Sequence, residues 1–222
     1  MPVSSVFISK NPGEVQAIAS FCTERGIDLH AEAFISFEAT GISCKPTSDV
    51  YVFGSKNAFD FFLEQKPGTE NKLFAVIGEA TKKHIESKGY PVAFSGKEAG
   101  KPDLVAREFA TWLDGRRASF FLSDISKKSL AAYLDPEQYE EFIIYKTELL
   151  SKKVDRHFDV YAFTSPSNAE AFLQQNNIPD GAIVVSWGES TTTALKKHHI
   201  SPQHTLRDSS QEELIQVMNI EL

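Results

Sequence analysis

The chain states one pattern twice at a fixed interval. Val50-Tyr51-Val52-Phe53-Gly54-Ser55-Lys56-Asn57-Ala58-Phe59 is answered by Val160-Tyr161-Ala162-Phe163-Thr164-Ser165-Pro166-Ser167-Asn168-Ala169. Further on, Val76-Ile77-Gly78-Glu79-Ala80-Thr81 is answered by Ser186-Trp187-Gly188-Glu189-Ser190-Thr191. A single offset of 110 residues carries Ser55 onto Ser165, Gly78 onto Gly188 and Thr81 onto Thr191. Similarity preserved at one spacing implies two copies of a β-α-β-α unit. The interval is too long for a solenoid, whose repeats run to roughly 20–50 residues, so the copies read as two similar domains. Matching loops of two such domains are expected to face a shared cleft, and function is expected there.

The 222 residues suit two small domains, each long enough to bury its own core. Apolar residues at 41% and charged residues at 24% are ordinary for a globular protein. A net charge of −7 argues against nucleic-acid binding, which needs clustered Lys and Arg. An anionic small molecule is still admissible, because a cleft can be locally basic on an acidic protein. Cys22 and Cys44 are too few for a disulfide framework or a zinc site. Cys22 lies on the apolar stripe Val15, Ile18, Ala19 and reads as core. No signal-peptide pattern opens the chain, and no stretch approaches the roughly 20 apolar residues of a membrane span. The expectation is a soluble, reduced, cytoplasmic protein.

Along the chain, strand and helix alternate. Val3 to Ser9 reads as a strand; Asn11-Pro12 reads as the N-cap and first position of a helix ending at Gly26. Residues 33–37 read as extended. The first copy of the repeat then gives strand 50–54, a helix, strand 73–77, a helix from Glu79 to Gly89, a short strand at 91–94 and a helix from Leu104 to Leu113. Strand 119–122, a helix through Leu130 and Leu134, and strand 141–145 follow. The second copy gives strand 159–164, a helix from Ser167, strand 182–185, a helix from Glu189 and a last helix, whose Ser210-Gln211-Glu212-Glu213 reads as a capping box. Such alternation predicts parallel sheets with right-handed crossovers. The second copy is one β-α unit short at its front, and the N-terminal unit is the obvious piece to complete it. The expected layout is therefore a discontinuous domain of residues 1–34 and 148–222 around an inserted domain of residues 35–147, joined by a two-stranded connection. Both would be doubly wound, flavodoxin-like α/β domains. A continuous two-domain layout is the alternative.

Gly-x-Gly-x-x-Gly is absent after the first strand, which leaves a dinucleotide site, and with it a dehydrogenase, unsupported. A Gly-x-Ser-x-Gly elbow is absent too. The histidines never stand at metal-ligand spacing, so no metal site is expected. What remains are small polar residues at strand-to-helix junctions. Ser55, Asn57, Thr164, Ser165, Ser167 and Asn168 follow strand ends, while Thr81, Ser190 and Thr191 stand in the first turns of helices. N-capping alone would account for such residues there. Equally, exposed N–H groups and hydroxyls at helix N-termini bind anions, and ligands of open α/β sheets sit beyond the carboxyl ends of the strands.

At these residues the chain resembles the uroporphyrinogen-III synthase family. That family has a Phe-Thr-Ser strand end before a small/Asn/Ala helix start, matched by Phe163-Thr164-Ser165-Pro166-Ser167-Asn168-Ala169. It has an Ile-Gly-x-x-Thr helix start, matched by Ile77-Gly78-Glu79-Ala80-Thr81, and a second helix start, usually Gly-Pro-Thr-Thr, which Gly188-Glu189-Ser190-Thr191 resembles. A Tyr ending the strand that returns between domains is matched by Tyr145 in Ile143-Ile144-Tyr145-Lys146-Thr147. The likeness spans nearly the whole chain. Gly54 stands where a Thr is common, Lys10 where an Arg often ends the first strand, and Ser123-Asp124 where the family usually has an Arg-Gly-containing strand end.

The resemblance implies a cofactor-independent lyase of porphyrin and heme biosynthesis. Its substrate would be hydroxymethylbilane, a linear tetrapyrrole with carboxylate arms, closed with loss of water and inversion of the last pyrrole. Orientation would then be the enzyme's main task. The resemblance implies that carboxylates are held around Lys10, Ser55, Lys56, Asn57, Thr81, Thr164, Ser165, Ser167, Asn168, Ser190 and Thr191. Tyr145 would assist departure of the hydroxyl or anchor the inter-domain connection; a phenol of pKa about 10 is a helpful rather than indispensable acid. The expected form is a monomer that binds neither nucleic acid nor membrane and meets the preceding pathway enzyme transiently. A non-catalytic two-domain binder of an anionic small molecule is the alternative.

Overall fold

The computed structural model describes residues 3–96, 102–126, 129–208 and 210–221. The chain divides into two compact units. A terminal unit combines Met1–Ser36 with Glu148–Leu222, and a central unit spans Phe37–Thr147.

In chain order, β1 (Ser5–Ile8), α1 (Gln16–Arg25) and β2 (Asp28–Ala31) belong to the terminal unit. β3 (Ile35–Ala39) leads into the central unit, followed by β4 (Val50–Phe53), α2 (Lys56–Glu64), β5 (Leu73–Val76) and α3 (Glu79–Ser87). β6 (Val92–Ser95), α4 (Pro102–Leu113), β7 (Ala118–Ser123) and β8 (Tyr139–Leu149) complete it. The terminal unit resumes with β9 (Val160–Phe163), α5 (Pro166–Leu173), β10 (Ile183–Ser186), α6 (Glu189–Lys197), β11 (His204–Thr205) and α7 (Gln211–Glu221).

The terminal sheet has the order β11-β10-β9-β1-β2, and the central sheet β3-β8-β7-β4-β5-β6. Pairing is parallel throughout β4–β8 and throughout the terminal sheet. β3 alone runs against its neighbour: the Leu150 N–H meets the Phe34 carbonyl and the Thr40 N–H meets the Ile144 carbonyl, so one index falls as the other rises. The 110-residue repeat is visible in the register. Val50 faces Leu73 as Val160 faces Ile183, and Val76 faces Ser95 as Ser186 faces Thr205. Matching β4 to β9 makes β1 and β2 the spatial equivalents of β7 and β8. The two sheets thus share one strand order, although β1 and β2 come first in the chain and β7 and β8 come last in theirs. The N-terminal segment supplies the end of a copy, not the missing front that the strand count suggested, because spatial order is set by pairing and not by chain order.

Buried parallel strands read as continuous apolar runs, and all four residues of β4 are buried. Alternate side chains serve opposite faces. Val50 and Val52 pack with Val105, Phe109 and Leu113 of α4, whereas Tyr51 and Phe53 pack with Phe59 and Phe62 of α2 and Ile85 of α3. The terminal unit is wound the same way. Val6, Ile8 and Val160 pack with Ile18 and Cys22 of α1 and Leu214 and Met218 of α7, while Phe7, Tyr161 and Phe163 pack with Phe172 of α5 and Leu195 of α6. Each fully buried side chain of this kind contributes roughly 1.5–3 kcal/mol.

Several local expectations are corrected. Pro12–Glu14 forms a separate 3-10 turn and α1 starts only at Gln16; the Asn11 side chain makes no cap and donates instead to Glu14 Oε2 at 3.2 Å. β2 and β11 were not apparent in the sequence, being short, half-exposed edge strands that exist only through pairing. Residues 129–133 form a 3-10 helix instead of an α-helix. At α7 only half of the capping box is present. Ser210 Oγ accepts from the Glu213 N–H at 3.0 Å, but the Glu213 carboxylate accepts from the Arg207 and Asp208 N–H groups.

Candidate active site

In the central sheet the chain runs from β4 outward to β5 and β6 and then, through α4, crosses back to β7 on the other side of β4. Open α/β sheets bind ligands at such a reversal, beyond the carboxyl ends of the strands. A cavity of about 320 Å³ lies there. Its apolar walls come from Val52, Ile77, Phe120, Leu122 and Leu130, and its hydroxyls from Ser55, Ser123, Ser126, Ser129 and Tyr145. Among the described lining residues, Tyr145 carries the one ionisable side chain.

Tyr145 reaches this cavity because β8 is irregular. Leu122 faces Ile143 but Ser123 faces Tyr145, so Ile144 is an extra residue in the ladder. Strict alternation would send Ile144 and Tyr145 to opposite faces; with the bulge both are buried in one cluster with Phe53 and Phe59. Asp124 braces the bulge, its N–H donating to the Tyr145 carbonyl at 3.2 Å and its carboxylate accepting from the Thr147 N–H at 3.1 Å. The Tyr145 ring stacks on Phe61 at 5.1 Å and 9° and meets the edge of Phe37 at 5.7 Å. Its hydroxyl lies 3.1 Å from Ser55 Oγ. Ser55 is held in turn as N-cap of α2, accepting the Ala58 N–H at 3.1 Å.

Of the residues singled out in the sequence, the structure thus brings Ser55 and Tyr145 together. Lys56 and Asn57 stand in the first turn of α2, exposed and half-buried respectively, where the leading N–H groups lack intrahelical acceptors. Thr81 is buried at the start of α3, behind Gly78, an N-cap with no side chain to occupy the free N–H groups. Ser190 is exposed and Thr191 buried at the equivalent start of α6, behind Gly188. Glu79 and Glu189, beside these helix starts, are exposed.

Other residues are already engaged inside the terminal unit. Thr164 Oγ1 donates to the Ser9 carbonyl at 2.6 Å, and its N–H donates to Ser9 Oγ at 2.8 Å. Ser165 caps α5, accepting the Asn168 N–H at 3.2 Å and Asn168 Nδ2 at 3.0 Å. Asn168 is buried, and its Oδ1 accepts the Phe34 N–H at 2.7 Å. Ser167 is half-buried in the first turn of α5. The Lys10 ammonium lies 5.7 Å over the Trp187 ring.

Ser123, Ser126 and Ser129 were missed as lining residues. Ser126 Oγ accepts the Ser123 N–H at 2.9 Å and lies 3.0 Å from Ser123 Oγ. Their spacing of three residues directly after a strand was the available signal. Among the described residues no group of three or more His, Cys, Asp or Glu could hold a metal ion, and no helix is long and apolar enough to cross a membrane.

A family model described as Uroporphyrinogen-III synthase HemD matches residues 16–216. The chain belongs to the uroporphyrinogen-III synthase family. No curated protein matches it in sequence. Among solved structures it is similar to uroporphyrinogen-III synthetase from Helicobacter pylori, with a TM-score of 0.72 at 18% identity over 99% of each chain. It is also similar to a mutant uroporphyrinogen III synthase from the extremely thermophilic bacterium Thermus thermophilus, with a TM-score of 0.61 at 12% identity over 98% of each chain. At such identities these structures speak for the fold, which is that of the family.

Proposed function

We infer that this protein closes hydroxymethylbilane to uroporphyrinogen III, inverting the terminal pyrrole and releasing water. Family membership over residues 16–216 is the observation that carries this reading. The reaction is redox-neutral and transfers no group to a carrier, so its chemistry requires no cofactor. The pyrrole nitrogen lone pair expels the hydroxyl, which leaves as water with a proton from an acid. The α-carbon of the last pyrrole that already carries a bridge then bonds to the exposed methylene, giving a spiro intermediate. Its bond to the old bridge breaks, and the freed bridge carbon bonds to the pyrrole's other α-carbon, which loses a proton and so restores the acid. An electron-rich pyrrole makes the barrier low, and catalysis rests on holding both ends of a flexible chain in the productive geometry.

In this proposal the cavity beside Tyr145 takes the reacting end. Its volume lies at the small end of ligand pockets, roughly 300–1,000 Å³, which suits one substituted ring. The free N–H groups opening α2, α3 and α6, with Lys56, Asn57, Ser190, Ser167 and Lys10, are the groups proposed for the substrate's carboxylates. Thr81, Thr164, Ser165, Asn168 and Thr191 shape these loops. Tyr145 is the proposed proton donor to the departing hydroxyl. The protein is proposed to act as a cytoplasmic monomer that receives its substrate from the enzyme releasing the linear bilane.

The test is product analysis with hydroxymethylbilane generated in place, the porphyrinogens being oxidised and the isomers separated by chromatography. Mostly isomer III, against isomer I without the protein, is the expected result. Isomer I alone, with substrate intact on addition, would overturn the synthase reading in favour of a binding module.

A further inference from the structure

We propose that Ser55 is a positioning residue that directs the Tyr145 proton into the cavity. The proposal rests on the reading of Tyr145 as proton donor and adds the group that makes its proton available.

A serine hydroxyl has one proton and two lone pairs. One lone pair of Ser55 Oγ is fixed by the Ala58 N–H at 3.1 Å, and the remaining neighbour is Tyr145 Oη at 3.1 Å. Among the described residues these are the hydrogen bonds of the two side-chain oxygens. If Tyr145 donated to Ser55, the more acidic proton of the pair would be spent in the wall. If Ser55 donates, the phenolic proton faces the cavity. A hydroxyl that accepts from a backbone N–H at the positive end of a helix is polarised to donate, which selects the second arrangement. Once Tyr145 has given up its proton, the same bond points at a phenolate and becomes charge-assisted. Stacking on Phe61 and the edge contact with Phe37 fix the ring.

The repeat supplies a control within the molecule. Ser165 holds the equivalent cap, yet its second neighbour is the Asn168 amide, which donates to it at 3.0 Å. Capping alone therefore does not call for a tyrosine at that distance. The contact between Ser55 and Tyr145 is an addition peculiar to the copy that carries the cavity.

Ser55→Asp separates the two roles. Aspartate caps a helix as well as serine, but at neutral pH it only accepts and would take the Tyr145 proton for itself. Melting temperature and kcat and KM for isomer III are measured for Ser55→Asp, Ser55→Ala and Ser55→Thr, each with Tyr145 and with Tyr145→Phe. With Tyr145 present, Ser55→Asp is expected to melt with the parent protein and to lose about tenfold in kcat (one hydrogen bond's worth), while its added charge beside the N–H groups proposed for the carboxylates is read separately in KM. In the Tyr145→Phe background it should cost nothing further in kcat, and Ser55→Thr should keep the turnover that Ser55→Asp loses. Should Ser55→Asp melt early, Ser55→Ala decides: equal melting losses in both backgrounds, with a turnover loss only beside Tyr145, support the proposal. Parental kcat in Ser55→Asp, or losses that multiply with Tyr145→Phe, overturn it. A parent protein that yields only isomer I would instead overturn the synthase reading, a distinct result.

Discussion

Asn168→Ala separates a residue that holds the fold from one that grips ligand. Asn168 is 5% exposed, and both ends of its amide are used: Oδ1 accepts the Phe34 N–H at 2.7 Å, and Nδ2 donates to Ser165 Oγ at 3.0 Å. Phe34 is itself fully buried, so truncation strands its N–H away from water. An orphaned buried donor costs about 1–3 kcal/mol, and the lost bond to Ser165 about 1 kcal/mol. The better helix propensity of alanine returns about 0.5 kcal/mol. The net loss is about 1.5–3.5 kcal/mol, which for a chain of this size lowers the melting temperature by roughly 3–14 °C. Thermal unfolding followed by circular dichroism reads the loss, and KM for the bilane is measured well below the transition. Asn168→Asp, which keeps the acceptor for Phe34, should lose less. A variant that melts with the parent while its KM rises several-fold would refute this reasoning and make Asn168 a ligand contact.

Three further outcomes are expected. Asp159 Oδ2 accepts the N–H and hydroxyl of both Ser4 and Ser5, and these bonds, that from the Ser4 N–H foremost, hold its pKa below the usual carboxylate value. Its stabilisation is therefore complete above the unfolded pKa of about 4 and disappears as pH falls through the lower folded value; for so exposed a group it is on the order of 1 kcal/mol. Asp159→Asn should thus lower stability at pH 7 and converge with the parent near pH 2 in urea titrations, and a gap that widens toward acid would contradict the assignment. A Cβ at Gly96 would collide with Val105 Cγ1 and lie 2.5 Å from the Ile77 carbonyl oxygen, so Gly96→Ala should destabilise by about 2–3 kcal/mol; an unchanged urea midpoint would show that the β5–β6 edge yields. Burial pushes the Cys22 thiol up to about 11, so at pH 8 iodoacetamide should modify half-buried Cys44 first and Cys22 only on unfolding; equal native labelling rates would show that the α1 face opens.

The amino-acid sequence by itself determined the alternation of strand and helix, the two copies at a 110-residue offset, and the small polar residues that close each strand. These are legible because they are local: apolar runs such as Val50-Tyr51-Val52-Phe53 and caps such as Ser55 and Ser165 act on their own segments. Tertiary structure alone decided how those polar residues are used. Ser55 and Ser165 occupy equivalent caps, yet one meets a tyrosine 90 positions away and the other an amide in its own helix. Asn168 and Thr164 have the composition of ligand-binding residues, but pairing with Phe34 and Ser9 commits them to the fold. The bulge at Ile144 that turns Tyr145 into the cavity leaves no trace in the alternation of β8, because it arises from register against β7 and the brace of Asp124. Propensity and capping are energies of neighbours along the chain. Register, hydroxyl orientation and the cavity are energies of neighbours in space, which exist only once the sheet has formed.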